Sequence, residues 1–253
     1  MPKARAAALT AIKLDDSLGE AHATLALVRY GYEFNPAEAE KGFKRALELT
    51  PGSAPAHLWN GMHLTAMGRA DEALAEAERA RQLDPASPAL NSYIGVLLYF
   101  SHRYDEIIQR MRPIIEAHPE YHEPHWWMAM AYEQKGDWAK AIEEAQKTLA
   151  LYPDGTDGLA ALGHMFAMAG RTADARKMLR RVLRLSSDRY VAAYGVAVLY
   201  AGLGERDEAF RWLRKVEQDP SEDFAFAHLD PRLDSIRVDA RFAEITRLMR
   251  LAR

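Results

Sequence analysis

One arrangement of apolar, small and polar positions returns along the chain at a fixed interval. Segments closing on a Leu-x-Pro-like turn recur as ALELTPGSAPAH (46–57), ARQLDPASPALN (80–91), IIEAHPEYHEPH (114–125) and TLALYPDGTDGL (148–159). Their prolines, Pro51, Pro85, Pro119 and Pro153, are 34 residues apart each time. Small residues return in phase. Gly61, Gly95 and Gly163 form one series, with Ala129 in the slot between. Gly68, Gly136, Gly170 and Gly204 form a second, with His102 in the missing slot. Ala39, Ala73, Ala141, Ala175 and Ala209 form a third that only Ile107 interrupts. Self-similarity at such a period is the mark of stacked supersecondary units, each burying its apolar face against the next.

Each unit reads as two helices. In the second unit the first helix is predicted from about Ala56 to Met67, and Gly68 supplies the left-handed residue that ends it. The second is predicted from about Asp71 to Leu83, stopping before Pro85. Gly61 and Ala73 are small because the two helices cross there, and larger side chains would push the axes apart. Leu64, Leu98, Tyr132, Phe166 and Tyr200 share one core position. Ala46, Ala80, Ile114, Thr148, Val182 and Val216 share another.

The ends differ from the middle. Residues 1–18 fit only the second helix of a truncated repeat, with Ala11 and Leu14 in phase, so the chain is expected to start inside an array. Full repeats run at 19–53, 54–87, 88–121, 122–155, 156–189 and 190–220. From 221 to 253 the period is lost and capping helices are expected. Asp239 is the predicted N-cap there, with an apolar stripe of Phe242, Ile245, Leu248 and Met249. Phe224, Phe226, Leu229 and Ile236 are expected to cover the exposed face of the last repeat.

The recurring positions over about Ala4 to Pro220 resemble the tetratricopeptide repeat (TPR). The resemblance implies an all-α fold, a right-handed superhelix of helix hairpins whose first helices line a concave groove. By repeat phase the inward rows include Ala23, Leu58, Ser92, Trp126, Ala160 and Tyr194, then Leu27, Met62, Val96, Met130, His164 and Val198. Further rows add Tyr99 and Glu133, then Phe100 and Met168. The candidate partner-binding set is Leu58, Met62, Tyr99, Phe100, Trp126, Met130, His164, Met168 and Tyr194. Methionine and aromatic side chains suit adaptable peptide recognition. The family's clamp for C-terminal carboxylates uses Lys, Asn and Arg. The matching positions here carry Ala23, Leu27, Leu58, Met62, Tyr93 and Glu123, so chaperone-tail binding is not implied.

A narrower likeness rests on LDDSLGEAHATLA, FKRALELTPGSAPAH, LGERDEAFRWL and HLDPRLDSIRVDARFAEI. These are similar to the C-terminal TPR block of bacterial winged-helix activators, nucleotide cyclases and Ser/Thr kinases. In that branch the tail reads close to DPRFDPLRSDPRF, and Leu233, Ser235, Val238 and Ala240 depart from it. The implied alternative is a sensory or regulatory module cut from a larger signalling protein.

Composition narrows the chemistry. A net charge of -3 gives no overall pull toward nucleic acid, and the absence of cysteine removes disulfides and thiol chemistry. The longest uncharged run, Pro85 to Ser101, is too short and too polar to span a membrane. HPEYHEPH, with His118, His122 and His125, reads as a polar rim in preference to a metal site. His22, His57 and His125 recur at one repeat position and would titrate near neutral pH if exposed. The basic run 171–185 reads as a solvated helix face. No phosphate loop, dinucleotide fingerprint or nucleophile elbow is present. The expectation is a non-catalytic scaffold or adaptor, without catalytic residues, cofactor or metal, holding a protein or peptide in the groove. A homodimer through the truncated N-terminal repeat is a second partner reading. The compartment is read as cytoplasmic, or as the extracytoplasmic side of a membrane-anchored parent.

Overall fold

The computed structural model describes residues 2–216 and 222–247. Every regular element among them is helical. The described residues form two compact units. The first contains 2–101, 222–226 and 247, and the second 102–216 and 227–246.

In the first unit the elements are α1 (Pro2–Leu14), α2 (Gly19–Gly31), α3 (Pro36–Leu49), α4 (Ala54–Ala66), α5 (Ala70–Leu83) and α6 (Pro88–Phe100). A 3₁₀ turn, Glu222–Phe226, joins them. Helix α2 packs on α3, α4 on α5, and α6 on both α4 and α5. Helix α1 packs on α2 and leaves Leu14 exposed. The helix starts explain the second proline and the serine of the first two turn motifs. Ser53 Oγ accepts from the Ala56 N–H at 3.3 Å, and Ser87 Oγ from Leu90 at 3.2 Å. Prolines occupy the first turns of α4 and α6, where no helical N–H is needed. A Cβ on Gly61 would lie 3.1 Å from the Ala73 carbonyl oxygen and 2.8 Å from Leu97 Cδ2. The small slot is therefore set by both the hairpin partner and the next repeat.

The second unit holds α7 (Tyr104–Ala117), α8 (Glu123–Gln134), α9 (Trp138–Leu151), α10 (Thr156–Met168), α11 (Thr172–Leu185), α12 (Ala193–Gly202) and α13 (Arg206–Lys215). After these come a 3₁₀ turn Pro231–Leu233, α14 (Asp234–Arg237) and α15 (Ala240–Thr246). Helices pair as α8/α9, α10/α11 and α12/α13, and α7 packs on α8. Each unit is thus a stack of helix hairpins, and the fold is an all-α solenoid. The two predicted core series are buried throughout, apart from Ile114, which is half-buried.

The glycine that ends each first helix is left-handed, with φ of +73° at Gly68, +72° at Gly136, +75° at Gly170 and +76° at Gly204. His102, in the slot that lacks glycine, adopts φ 58° as well. A Cβ makes this conformation costly, so His102→Gly is expected to raise stability by about 0.5–1 kcal/mol in urea unfolding. An unchanged midpoint would mean that the turn relaxes without strain.

The end of the chain departs from the sequence expectation in one respect. Helix α15 packs on α13, and α14 and the turn before it pack on α12. Phe224 and Phe226, however, belong to the first unit. Phe226 stacks on Phe100 with centroids 4.5 Å apart, and Phe224 meets Phe34 edge-on at 5.5 Å. Aromatic faces on α2 and α6 receive them, which repeat phase alone does not reveal. Asp239 accepts the backbone N–H of Arg241 at 3.0 Å at the start of α15. Leu248 and Met249 of the predicted stripe lie outside the described residues, as do Asp219 and Pro220.

Candidate functional site

The predicted groove residues fall on the first helices of the pairs, and most are covered. In the first unit Leu58, Met62 and Tyr99 are buried, and Phe100 is half-buried beneath Phe226. In the second, Met130, His164 and Tyr194 are buried. Trp126 is half-buried, and Met168 is 49% exposed. Part of the covering comes from the C-terminal segment. Phe226 also meets Tyr30 of α2 edge-on at 6.2 Å.

Within the second unit the covering is polar. Asp230 is completely buried. It accepts from Tyr194 Oη at 2.6 Å, and from Arg232 Nη2 at 2.6 Å and Nε at 3.0 Å. Arg232 Nη1 lies 3.8 Å from Met130 Sδ. Burial pushes the Asp230 carboxyl up, but the Arg232 guanidinium and the Tyr194 hydroxyl outweigh it and hold it below the ordinary range. Two predicted groove residues, Met130 and Tyr194, are thus contact points for the chain's own tail.

His164 pairs with Glu133. Nδ1 sits 2.8 Å from Glu133 Oε1, with side-chain exposures of 3% and 2%. Facing a carboxylate, Nδ1 must carry the proton and donate. A Cβ on Gly202 would approach His164 Cδ2 to 2.5 Å, so glycine at that position leaves room for the ring. The second oxygen, Glu133 Oε2, has no partner. Both residues line a pocket of about 320 Å³ together with Trp138, Met168, Arg232 and Asp234.

The remaining candidates are engaged elsewhere. His57 Nδ1 meets Glu76 at 2.5 Å and His125 Nδ1 meets Glu144 at 2.6 Å, the same pairing two repeats apart. The Glu76 hydrogen bond raises the His57 pKa against the lowering effect of burial. His22 Nε2 lies 3.0 Å from the Asp16 carbonyl oxygen. In HPEYHEPH, His125 is turned to Glu144 and His122 lies 3.2 Å from Glu123. Among the described residues no three His, Asp or Glu side chains are arranged to hold a metal ion. The basic run places Arg171 against Asp174 and Arg176 against Glu205.

Glu133 belongs to an inward row but not to the candidate set, and Asp230 and Arg232 belong to the segment expected only to cap the repeats. The available signal was an acid in the row next to His164, in a stretch that is otherwise apolar.

Stacked two-helix hairpins define the chain as a helical repeat protein. It belongs to the tetratricopeptide repeat family, whose models match residues 62–228 and 30–88. Among solved structures it is similar to a tetratricopeptide repeat protein from Parabacteroides merdae, at 13% identity over 97% of this chain and 91% of that one, with a TM-score of 0.66. It is also similar to PilF from Pseudomonas aeruginosa, at 18% identity over 92% and 98%, with a TM-score of 0.57. A third is TTC0263 from Thermus thermophilus, at 21% identity over 72% and 99%, with a TM-score of 0.55. No curated protein matches the chain. The fold is that of a protein-interaction scaffold, in a family that binds protein or peptide partners and is typically non-catalytic. Among the described residues no helix is long and apolar enough to cross a membrane.

Proposed function

We propose that the chain is a non-catalytic scaffold that holds a peptide segment of a partner protein on the first-helix face of its second unit. The observation that supports this reading is a pair of large apolar side chains left partly accessible on α8 and α10. Trp126 is half-buried and Met168 half-exposed, both on first helices of adjacent hairpins. Large side chains of this kind recur as anchors at peptide-binding surfaces. Of the buried members of the predicted set, Met130 lies on α8 of the same unit and Tyr194 on α12.

A random peptide display library panned against the immobilised chain tests the reading. Enriched peptides should bind the Trp126→Ala/Met168→Ala variant at least about tenfold more weakly, as loss of anchor side chains implies. Unchanged affinity with an intact helical spectrum would place the binding surface elsewhere.

A further inference from the structure

The pocket beside the Glu133–His164 pair has an unusual electrostatic property. Glu133 is buried, one of its oxygens accepts from His164, and the other accepts from nothing. A buried acceptor without a donor is costly, and folded proteins leave few of them. Three observations specify what would satisfy it. The pocket of about 320 Å³ is the size of a small ligand or of one side chain of a larger partner. Its lining includes Trp138, the half-exposed Met168 and Pro231, which suit an aliphatic stem. Its charged lining favours a cation: Asp234 is already bound by Arg237 at 2.7 Å, which leaves Glu133 and a single lining guanidinium. That guanidinium, of Arg232, is already bound by the buried Asp230 at 2.6 Å.

We propose that this pocket receives the ammonium group of a lysine side chain from a partner peptide, with Glu133 Oε2 accepting its hydrogen bond. The proposal rests on the peptide-scaffold reading and adds the chemistry of one residue in the bound segment. His164 acts as the positioning residue. By occupying Oε1 it holds the carboxylate in one orientation, and Gly202 leaves space for its ring. A carboxylate ligand is disfavoured, since it would face Glu133 with no free cation to receive it. A purely apolar side chain would leave the buried oxygen as it is.

The test uses single amino-acid derivatives and the full chain. The indole N–H resonance of Trp138 is assigned by its loss in Trp138→Phe and followed during titration with N-acetyl-lysine methylamide. Saturable shifts with a millimolar dissociation constant are expected. The norleucine analogue, with the same stem and no ammonium, should give no saturation. Glu133→Gln should weaken the lysine probe at least about tenfold, as expected for a lost charge-assisted hydrogen bond. Equal binding of the norleucine analogue, tighter binding of N-acetyl-glutamate methylamide, or an unaffected Glu133→Gln variant would each overturn the proposal. So would the absence of any shift. Should Glu133→Gln fail to fold, the lysine and norleucine comparison on the unaltered chain still decides. A negative result leaves Trp126, which does not line the pocket, untouched as an anchor. Lysine binding in a chain that enriches no peptide would instead make the pocket a site for small amines, and the peptide reading alone would fall.

Discussion

Replacing Asp230 with alanine is expected to lower the unfolding free energy by about 3–5 kcal/mol, the usual consequence of removing one partner from a buried ion pair. The carboxylate is fully buried, and Arg232 binds it through its side chain and its backbone N–H. Without it, the Arg232 guanidinium, 11% exposed, keeps its charge and loses this carboxylate. The Tyr194 hydroxyl on α12 loses the same acceptor. Removing both charges in Asp230→Asn/Arg232→Met should recover most of the loss, because no buried charge is then left alone. Urea unfolding followed by circular dichroism reads both variants. A loss below about 1 kcal/mol for Asp230→Ala would mean that the pair is solvated. The pH dependence has a definite sign. The folded carboxyl titrates below its ordinary value of 3.8, so its contribution is complete above that pH and disappears as pH falls through the folded value.

Acid should destabilise the first unit through His63, well before the carboxylates titrate. This residue on α4 is completely buried, and neither ring nitrogen has a partner. Its ring sits 5.6 Å from Tyr30, edge-on, and 5.7 Å from Phe43. Burial lowers its pKa to about 4 from 6.5, with Glu40 nearby pulling it up and Arg69 pulling it down. A depressed folded pKa means that the stability is fully present above pH 6.5 and is lost as pH falls toward 4. The linkage amounts to about 2 kcal/mol by pH 5 and about 3 kcal/mol by pH 4. His63→Leu removes two buried groups that lack partners and keeps a side chain of similar size. It should gain about 1 kcal/mol at pH 7 and abolish this part of the acid slope. Parallel stability curves for the two proteins between pH 7 and pH 4 would refute the assignment. His57 works in the opposite direction. Its pKa is raised, so its contribution is present below pH 6.5 and is lost as pH rises through the folded value.

Much of the chain was legible because a repeat constrains the same position several times. Pro51 and its three successors marked the hairpin turns, and Gly68, Gly136, Gly170 and Gly204 marked the ends of first helices. His102 shows how strong that constraint is, since the turn keeps its left-handed residue where glycine is missing. The core series were legible for the same reason, as helical period and repeat period place those residues between neighbouring hairpins. Sequence phase could identify inward positions such as Met130, Tyr194 and His164. It could not say whether they face solvent or another part of the chain.

That decision belonged to tertiary structure. The segment from Phe224 to Arg237 lies outside the repeat period, so no phase assigns its contacts. Phe226 stacks on Phe100 because two aromatic faces become available there. Asp230 is buried because Tyr194 and Arg232 together replace the water it gives up. Glu133 and His164 form a pair because the stacking of their helices brings the two side chains to 2.8 Å, and both residues line the pocket. The sequence by itself determined the period, the helices, their turns and the repeat core, because each depends on local geometry repeated many times. Only the tertiary structure decided which inward positions are covered and which charges are buried together, because those contacts join residues whose separations follow no period.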